Sequence, residues 1–478
     1  MDDRFISSPS MKQSSLASLL SLILLTASCV RAADDFSGMR GANYVPSYAR
    51  NDIQTWMDYD SQIIDRELGY AERLKLNTVR VFLQEAVWEK EPARFRTDFE
   101  DFLHRCEAHH IRMMPVLFDS CFGEEPDLVN YRQKDWMASP GFSRLGSQDQ
   151  PAMERYIRDV VGTHRRDNRI VLWDVMNEPD CTHQYGETAG RAAINDFVRW
   201  ALKRVKDKKP SQPLTIGWAG QGNTIVALDL VDVIVLHRYG DVKDLRFALQ
   251  EGKEWARLFG KPVILNEFVG RPQQPIEKGL PVVADEGVGW CFWELMIGNT
   301  QFTRGRIPFQ GHIYPDGTCY SAAEVAAILY PRGYDGKAEE LAGAAGFCIS
   351  SNAPKPFVEE GISFTTGWQR WNGQGPAGDR LWFASATGEH ATKTVRGQRI
   401  TLILKHAPDC GIATVTVDGR PADKSQIDTF QPEVDWNHRT VIAEGLSPRN
   451  HVVEITATGR KAESSVNSCI QLVDIEGD

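Results

Sequence analysis

Two short stretches of this chain end an apolar run on a carboxylate. Residues 170–179 read IVLWDVMNEP and residues 261–268 read KPVILNEF. Glu178 and Glu267 therefore each stand where an apolar run gives out, each directly after an Asn. Other polar and aromatic groups fall at similar places. They are Asn43 and Tyr44 in GANYVP (41–46), Arg80 in NTVRVFL (77–83), Asp119 after IRMMPVLF (111–118) and Trp218 in PLTIGW (213–218). His237 and Tyr239 follow DVIVLH (232–237), and Trp293 and Glu294 lie in GVGWCFWEL (287–295). Taken singly, each has an ordinary reading. A Glu at a strand end is usually solvated, an Arg between Val79 and Val81 reads as a structural ion-pair member, and a lone His reads as a satisfied core group. Their recurrence at the ends of successive runs is what asks for chemistry.

Two carboxylates facing each other across a gap are what glycoside hydrolysis requires. One, protonated, assists the leaving oxygen; the other, ionised, attacks the anomeric carbon. A gap of roughly 5–5.5 Å gives retention through a covalent intermediate, and a wider one leaves room for water and gives inversion. The two groups must also differ in proton affinity. Arg80 beside Glu267 is expected to keep that residue ionised, and a less polar setting to keep Glu178 protonated.

The elements that must position these groups alternate. With IRMMPVLF and RIVLWDVM (169–176) included, eight apolar strands run from residue 41 to residue 295. Between them lie IIDRELGYAERLKL, FEDFLHRCEAHH, MERYIRDVVGTHRR and AINDFVRWALKRVKD, where apolar residues recur at spacings of three and four, the period of a helix. Eight such alternations predict an α/β fold, a (β/α)8 TIM barrel over residues 36–331, closed by the helix SAAEVAAILY (321–330). An open doubly wound sheet is the rival. In the closed ring, strands four and seven face each other across the mouth, which would bring Glu178 and Glu267 together. After residue 345 the pattern changes to short strands such as RITLILK, ATVTVDG and HVVEITATG, broken by Gly, Pro, Asp and Asn. An all-β, jelly-roll-like sandwich is expected over 347–478, with residues 332–346 as linker. G-x-G-x-x-G at 373–378 carries Pro376 and no following helix, so it reads as a turn and not a nucleotide site.

With these residues in place, the barrel resembles glycoside hydrolase clan A, close to the cellulase-like family five. Asn177-Glu178-Pro179 matches the clan's acid/base motif and Glu267 its nucleophile. Arg80, His237, Tyr239 and Trp293 match the groups that surround the site in that family. The resemblance implies that Asn177 bonds the sugar 2-hydroxyl, that Tyr239 donates to the nucleophile and that Trp293 floors the cleavage subsite. It further implies β-linked substrates, retention, no cofactor and no metal. Asp119 stands where the family usually has His, so cellulose does not carry over as the substrate. Tyr44, Trp218 and Asp119 join the expected sugar contacts. The C-terminal part resembles the galactose-binding-like sandwiches appended to such enzymes, where Trp368, Trp371 and Trp382 would form either a sugar platform or core.

The rest of the composition bounds the reading. A net charge of −10 with no basic run argues against a nucleic-acid partner. The apolar stretch 16–27, with Arg4 and Lys12 upstream and small residues before position 33, reads as a signal peptide over 1–32, so export to the periplasm or outside the cell is expected. Thr26-Ala27-Ser28-Cys29 is a weak lipoprotein box, which leaves a lipid anchor through Cys29 as an alternative. No spacing among the nine cysteines suggests zinc. Cys121 and Cys181 follow neighbouring strands and could meet at one face. The expectation is thus an exported retaining β-glycoside hydrolase. A carbohydrate-binding protein with an inactive barrel and a transglycosylase are the alternatives.

Overall fold

The computed structural model describes residues 35–271, 273–305, 307–371 and 381–478. The expected signal segment, Cys29 and the G-x-G-x-x-G stretch lie outside the described residues. Eight parallel strands form one sheet: β1 (Arg40–Asn43), β2 (Thr78–Phe82), β3 (Arg112–Asp119), β4 (Trp173–Asn177), β5 (Leu214–Gly217), β6 (Ile234–Arg238), β7 (Val263–Phe268) and β8 (Gly289–Phe292). Their order runs β5-β4-β3-β2-β1-β8-β7-β6. The ends of that order meet just before β6. The Asp232 N–H donates to Leu214 O at 2.8 Å, and Thr215 Oγ1 donates to Val233 O at 2.8 Å. The sheet is thus a barrel, as the alternation predicts, and not an open doubly wound sheet.

Helices with one apolar face cover its outside. Ser61–Arg73 starts at Asp60, whose carboxylate accepts from the Gln62 and Ile63 N–H groups. Val242–Phe259 starts in the same way at Asp241 and stops at Gly260, whose φ of +63° suits a residue without Cβ. Large aromatic residues such as Trp56, Phe95, Phe99 and Phe102 fill the layer between helices and strands. Inside the barrel the floor is apolar, built from Met114, Leu172, Val235, Ile264 and Cys291 over Phe36 and Met39. Polar side chains begin above that floor.

The segment 332–346, expected as a linker, contains the helix Ala338–Ala344. Its Ala342, and Phe347 after it, lie in the barrel core. Ser350 still bonds the barrel through its N–H to Cys319 O at 2.8 Å. These residues alternate small apolar with charged groups, so they dock where a tether would stay solvated. Two antiparallel sheets follow. One holds β9 (Phe357–Glu359), β10 (Ile362–Phe364), β13 (His390–Gly397), β15 (Ile412–Val417), β16 (Arg420–Asp428) and β18 (Arg449–Arg460). The other holds β11 (Gln369–Arg370), β12 (Trp382–Ala384), β14 (Ile400–His406), β17 (Asp435–Ala443) and β19 (Ile470–Gly477). Trp368 and Trp382 are buried in the sandwich core and form no sugar platform. Trp371 is half-buried against Trp436, their ring centroids 5.2 Å apart.

Candidate active site

Side chains along a strand alternate between barrel interior and helix layer. Asn43, Arg80, Asp174 and Asn266 point inward above the apolar floor and bond to one another. Arg80 is fully buried and its guanidinium is the hub. Nε and Nη2 donate to Asp174 Oδ2 at 3.0 and 2.8 Å. Nη1 donates to Asn43 Oδ1 at 2.9 Å and to Glu267 Oε1 at 2.5 Å. Nη2 also reaches Asn177 Oδ1 at 2.6 Å. Burial disfavours the cation, but Asp174 and Glu267 outweigh it and hold Arg80 charged. Asn266 closes the layer, its Nδ2 donating to Asp174 Oδ2 at 3.3 Å.

Strict alternation would not place both an Asn and its neighbouring Glu at the mouth. Two irregularities do so. Between Asp174 and Asn177, β4 carries one more residue than β5 opposite it. Between Leu265 and Glu267, β7 carries one more than β6. An extra residue shifts the parity of the residues after it and re-aims their side chains. Both insertions sit directly before the two carboxylates. Glu178 itself has φ +38°, an uncommon backbone conformation for a side chain of its size. It is pinned by its N–H to Gly217 O at 2.6 Å and by Cys181 N–H to its carbonyl at 3.0 Å.

The two carboxylates meet at His237. Its Nδ1 is 2.8 Å from Glu178 Oε1 and 3.4 Å from Glu267 Oε2. One oxygen of each glutamate and a nitrogen of His237 all lie within 4.8 Å of one another. Tyr239 donates its hydroxyl to Glu267 Oε2 at 3.0 Å. The Cys121 thiol donates to Glu178 Oε2 at 3.0 Å. Gly217 makes room for this cluster, since a Cβ there would meet His237 Nε2 at 2.6 Å and Arg80 Nη2 at 3.2 Å.

The proton distribution differs from the one expected on sequence. Burial pushes the Glu178 carboxyl up, but the adjoining His237 outweighs it and holds the group down at about 2. Burial raises Glu267 above the ordinary carboxylate range and the Glu178 charge adds to this, against His237 and Arg80. Burial lowers His237, but the two glutamates more than compensate and raise it. These directions favour the proton on the imidazole and an ionised Glu178. The expectation of a protonated Glu178 left out the imidazole 2.8 Å away, whose pKa the two glutamates raise.

Above the carboxylates opens a pocket with a cavity volume of about 140 Å³. Asn177, Glu178, Tyr239, Glu267 and Trp293 line it together with Cys121, Phe122, Trp136, Phe302, Phe309 and Gln310. Trp293 packs edge-on against Phe82, Trp136 and Phe302 at centroid distances of 5.5, 5.8 and 5.5 Å. Trp136 comes from the long segment after β3, and Phe302, Phe309 and Gln310 from the one after β8. No periodic pattern marks these loop residues in the sequence.

Three expected sugar contacts lie elsewhere. Tyr44, next to the inward Asn43, points out into the helix layer and donates to buried Glu67 Oε2 at 2.9 Å. Trp218, next to the inward Gly217, likewise packs outward, 6.4 Å from Tyr185. Both belong to the barrel core. Asp119 is buried behind the pocket wall, where its Oδ1 accepts from Asn177 Nδ2 at 3.0 Å and its Oδ2 from Trp136 Nε1 at 2.5 Å. Burial raises its carboxyl to about 7. It orients the residues that line the pocket.

The family model for Cellulase (glycosyl hydrolase family 5) matches residues 126–299. Over that stretch the chain is similar to this family. The matched stretch takes in Glu178, His237, Tyr239, Glu267 and Trp293 of the candidate site, whereas Asn43 and Arg80 precede it. A β-glucuronidase of Streptococcus agalactiae is 29% identical over 138 residues, which cover 25% of this chain and 21% of that relative. The chain thus matches about a fifth of that relative's length. Among solved structures, an exo-β-1,4-mannosidase from Opitutaceae bacterium strain TAV5 aligns with a TM-score of 0.46 and 17% identity, over 64% of this chain and 60% of its own. A β-glucuronidase of Bacteroides uniformis aligns with a TM-score of 0.47 and 10% identity, over 92% of this chain and 65% of its own.

Proposed function

We propose that this chain is an exported retaining β-glycoside hydrolase, with Glu267 as nucleophile and Glu178 as acid/base. The observation that carries the reading is the separation of the two carboxylates. One oxygen of each carboxylate lies within 4.8 Å of the other, on the scale of the roughly 5–5.5 Å of a retaining pair and short of the roughly 6.5–9.5 Å of an inverting one, which suits direct attack with a covalent glycosyl-enzyme. Arg80 and Tyr239 both donate to Glu267, so its attacking oxygen is oriented and its charge is supported as a leaving carboxylate in the second step. Glu178 receives its proton from His237 Nδ1, 2.8 Å away, and passes it to the glycosidic oxygen. After the leaving group departs, Glu178 takes a proton from the water that releases the sugar. Asn177, bonded by Arg80 and Asp119, presents its amide to the sugar beside the reacting carbon.

The pocket is walled by Phe122, Trp136, Phe302 and Phe309, which favours short substrates or chain ends over an open polysaccharide cleft. The family match and the β-glucuronidase relative both support β-linked substrates, so the test panel includes aryl β-glycosides, β-glucuronides among them, with β-glucans, xylans and mannans. Wild type is expected to release sugar and Glu267→Gln to lose at least roughly a thousandfold of that rate while melting normally. Near wild-type turnover by Glu267→Gln would end the proposal. A slow 2-fluoro substrate adds a check, since the trapped sugar must sit on Glu267 and not on Glu178.

A further inference from the structure

Two thiols stand against the proposed acid/base, and that mechanism uses neither. Cys121 follows β3 and Cys181 follows β4, so strand pairing brings their loops side by side. The Phe122 N–H donates to Cys181 O at 3.0 Å, and the Cys181 N–H to Glu178 O at 3.0 Å. The Sγ atoms are 3.5 Å apart, and Cys121 Sγ is 3.0 Å from Glu178 Oε2. All three side chains place a ligand-type atom within 4.8 Å of the others. Cys121 is buried at the pocket wall, and Cys181 is half-buried. Both are free thiols.

We propose that Cys121 and Cys181 form an oxidation site that closes to a disulfide by exchange with a small organic disulfide, and that this removes the thiol hydrogen bonds to Glu178. The two sulfurs, 3.5 Å apart on loops whose backbones are already bonded, must approach to about 2.05 Å. Cys181, the more accessible sulfur, attacks as thiolate. It breaks the S–S bond of the small disulfide and expels one thiolate. The Cys121 sulfur then gives up its proton to solvent and displaces the second thiolate. The balance is two protein thiols and one small disulfide giving one protein disulfide and two small thiols. A disulfide sulfur has no proton to donate. Glu178 then loses the thiol bonds that, behind His237, help keep it ionised. Its proton affinity rises, so the proton that Glu178 shares with His237 is held to higher pH and the alkaline limb of the pH–rate profile moves to higher pH.

The consequence for rate rests on the acid/base reading, but the disulfide does not. The experiment uses the full chain carrying Cys348→Ser, which removes an exposed thiol. The protein is incubated with oxidised glutathione, free thiols are alkylated, and the digest is read by mass spectrometry. The expected result is loss of two hydrogens and a linked peptide pair containing Cys121 and Cys181, reversed by dithiothreitol and absent in Cys181→Ser. Alkylation of both cysteines, or a persistent glutathione adduct, overturns the site. With the disulfide formed, an unchanged pH–rate profile overturns the link to Glu178. If no β-glycoside is turned over at all, the functional proposal falls while the mass measurement still decides the disulfide.

Discussion

Gly217 offers a sharp probe of the site because a single methyl group decides the outcome. The residue ends β5 opposite Asn177. A Cβ at this position would lie 2.6 Å from His237 Nε2 and 3.2 Å from Arg80 Nη2. Ordinary contact needs about 3.4 Å or more, so His237 must move by roughly 0.8 Å or the strand must give way. Neither motion is free. Arg80 is fixed by bonds to Asn43, Asp174, Asn177 and Glu267, and His237 is fixed by Glu178. Overpacking of this kind costs about 1–3 kcal/mol of stability. The catalytic cost is separate and of similar size, because displacing a proton-transfer partner by nearly 1 Å lowers rate by up to about a hundredfold, about 2.7 kcal/mol. Gly217→Ala is therefore expected to fold with a modestly lower Tm, to lose roughly 10- to 100-fold in kcat on an aryl β-glycoside, and to keep KM within a few-fold. Steady-state kinetics beside thermal melts read both effects. A variant that loses activity only in proportion to the unfolded fraction, or loses none, would refute the claim that His237 is held in register against Glu178 by the absence of a side chain at 217.

The pH–rate profile of kcat/KM should be a bell. Its acid limb should lie above 4.5, because Glu267 must be ionised and its pKa is raised, and its alkaline limb above 6.5, because His237 must be protonated and is raised too. An acid limb below 4.5 would contradict the assignment of the two groups. Stability carries a separate signature at Glu294, whose Oε1 accepts from Thr300 Oγ1 at 2.8 Å and whose Oε2 has no hydrogen-bond partner among the described residues. Burial raises its pKa from 4.5 to about 8, so the folded chain keeps a proton that the unfolded chain loses. Stability from this group therefore falls as pH rises from 4.5 to 8, by roughly 4–5 kcal/mol at the upper end. Urea unfolding should show Glu294→Gln matching wild type near pH 4.5 and gaining on it toward pH 8; parallel curves would rule this out.

Much of the barrel was legible because burial leaves periodic marks. Apolar runs of strand length alternate with helices whose apolar residues recur at three and four, and each run overlaps a strand of the barrel. The same marks placed Arg80, Glu178, His237, Tyr239, Glu267 and Trp293 near one rim. They could not tell an inward side chain from its outward neighbour. Tyr44 and Trp218 adjoin the inward Asn43 and Gly217, and only the register of the strands assigns each to the helix layer. The insertions in β4 and β7 depend on how long each strand runs against its partner, which a single strand's sequence does not state. Trp136, Phe302 and Phe309 come from long segments without period, so their arrival in the pocket is a matter of tertiary packing. The same holds for the proton, because charge at Glu178 depends on His237, 59 positions away in sequence and 2.8 Å away in space. The amino-acid sequence by itself determined which elements form and which chemistry-bearing residues lie at their ends. The tertiary structure decided which of those side chains face the pocket and which of them holds the proton, because both depend on distances between strands far apart in the chain.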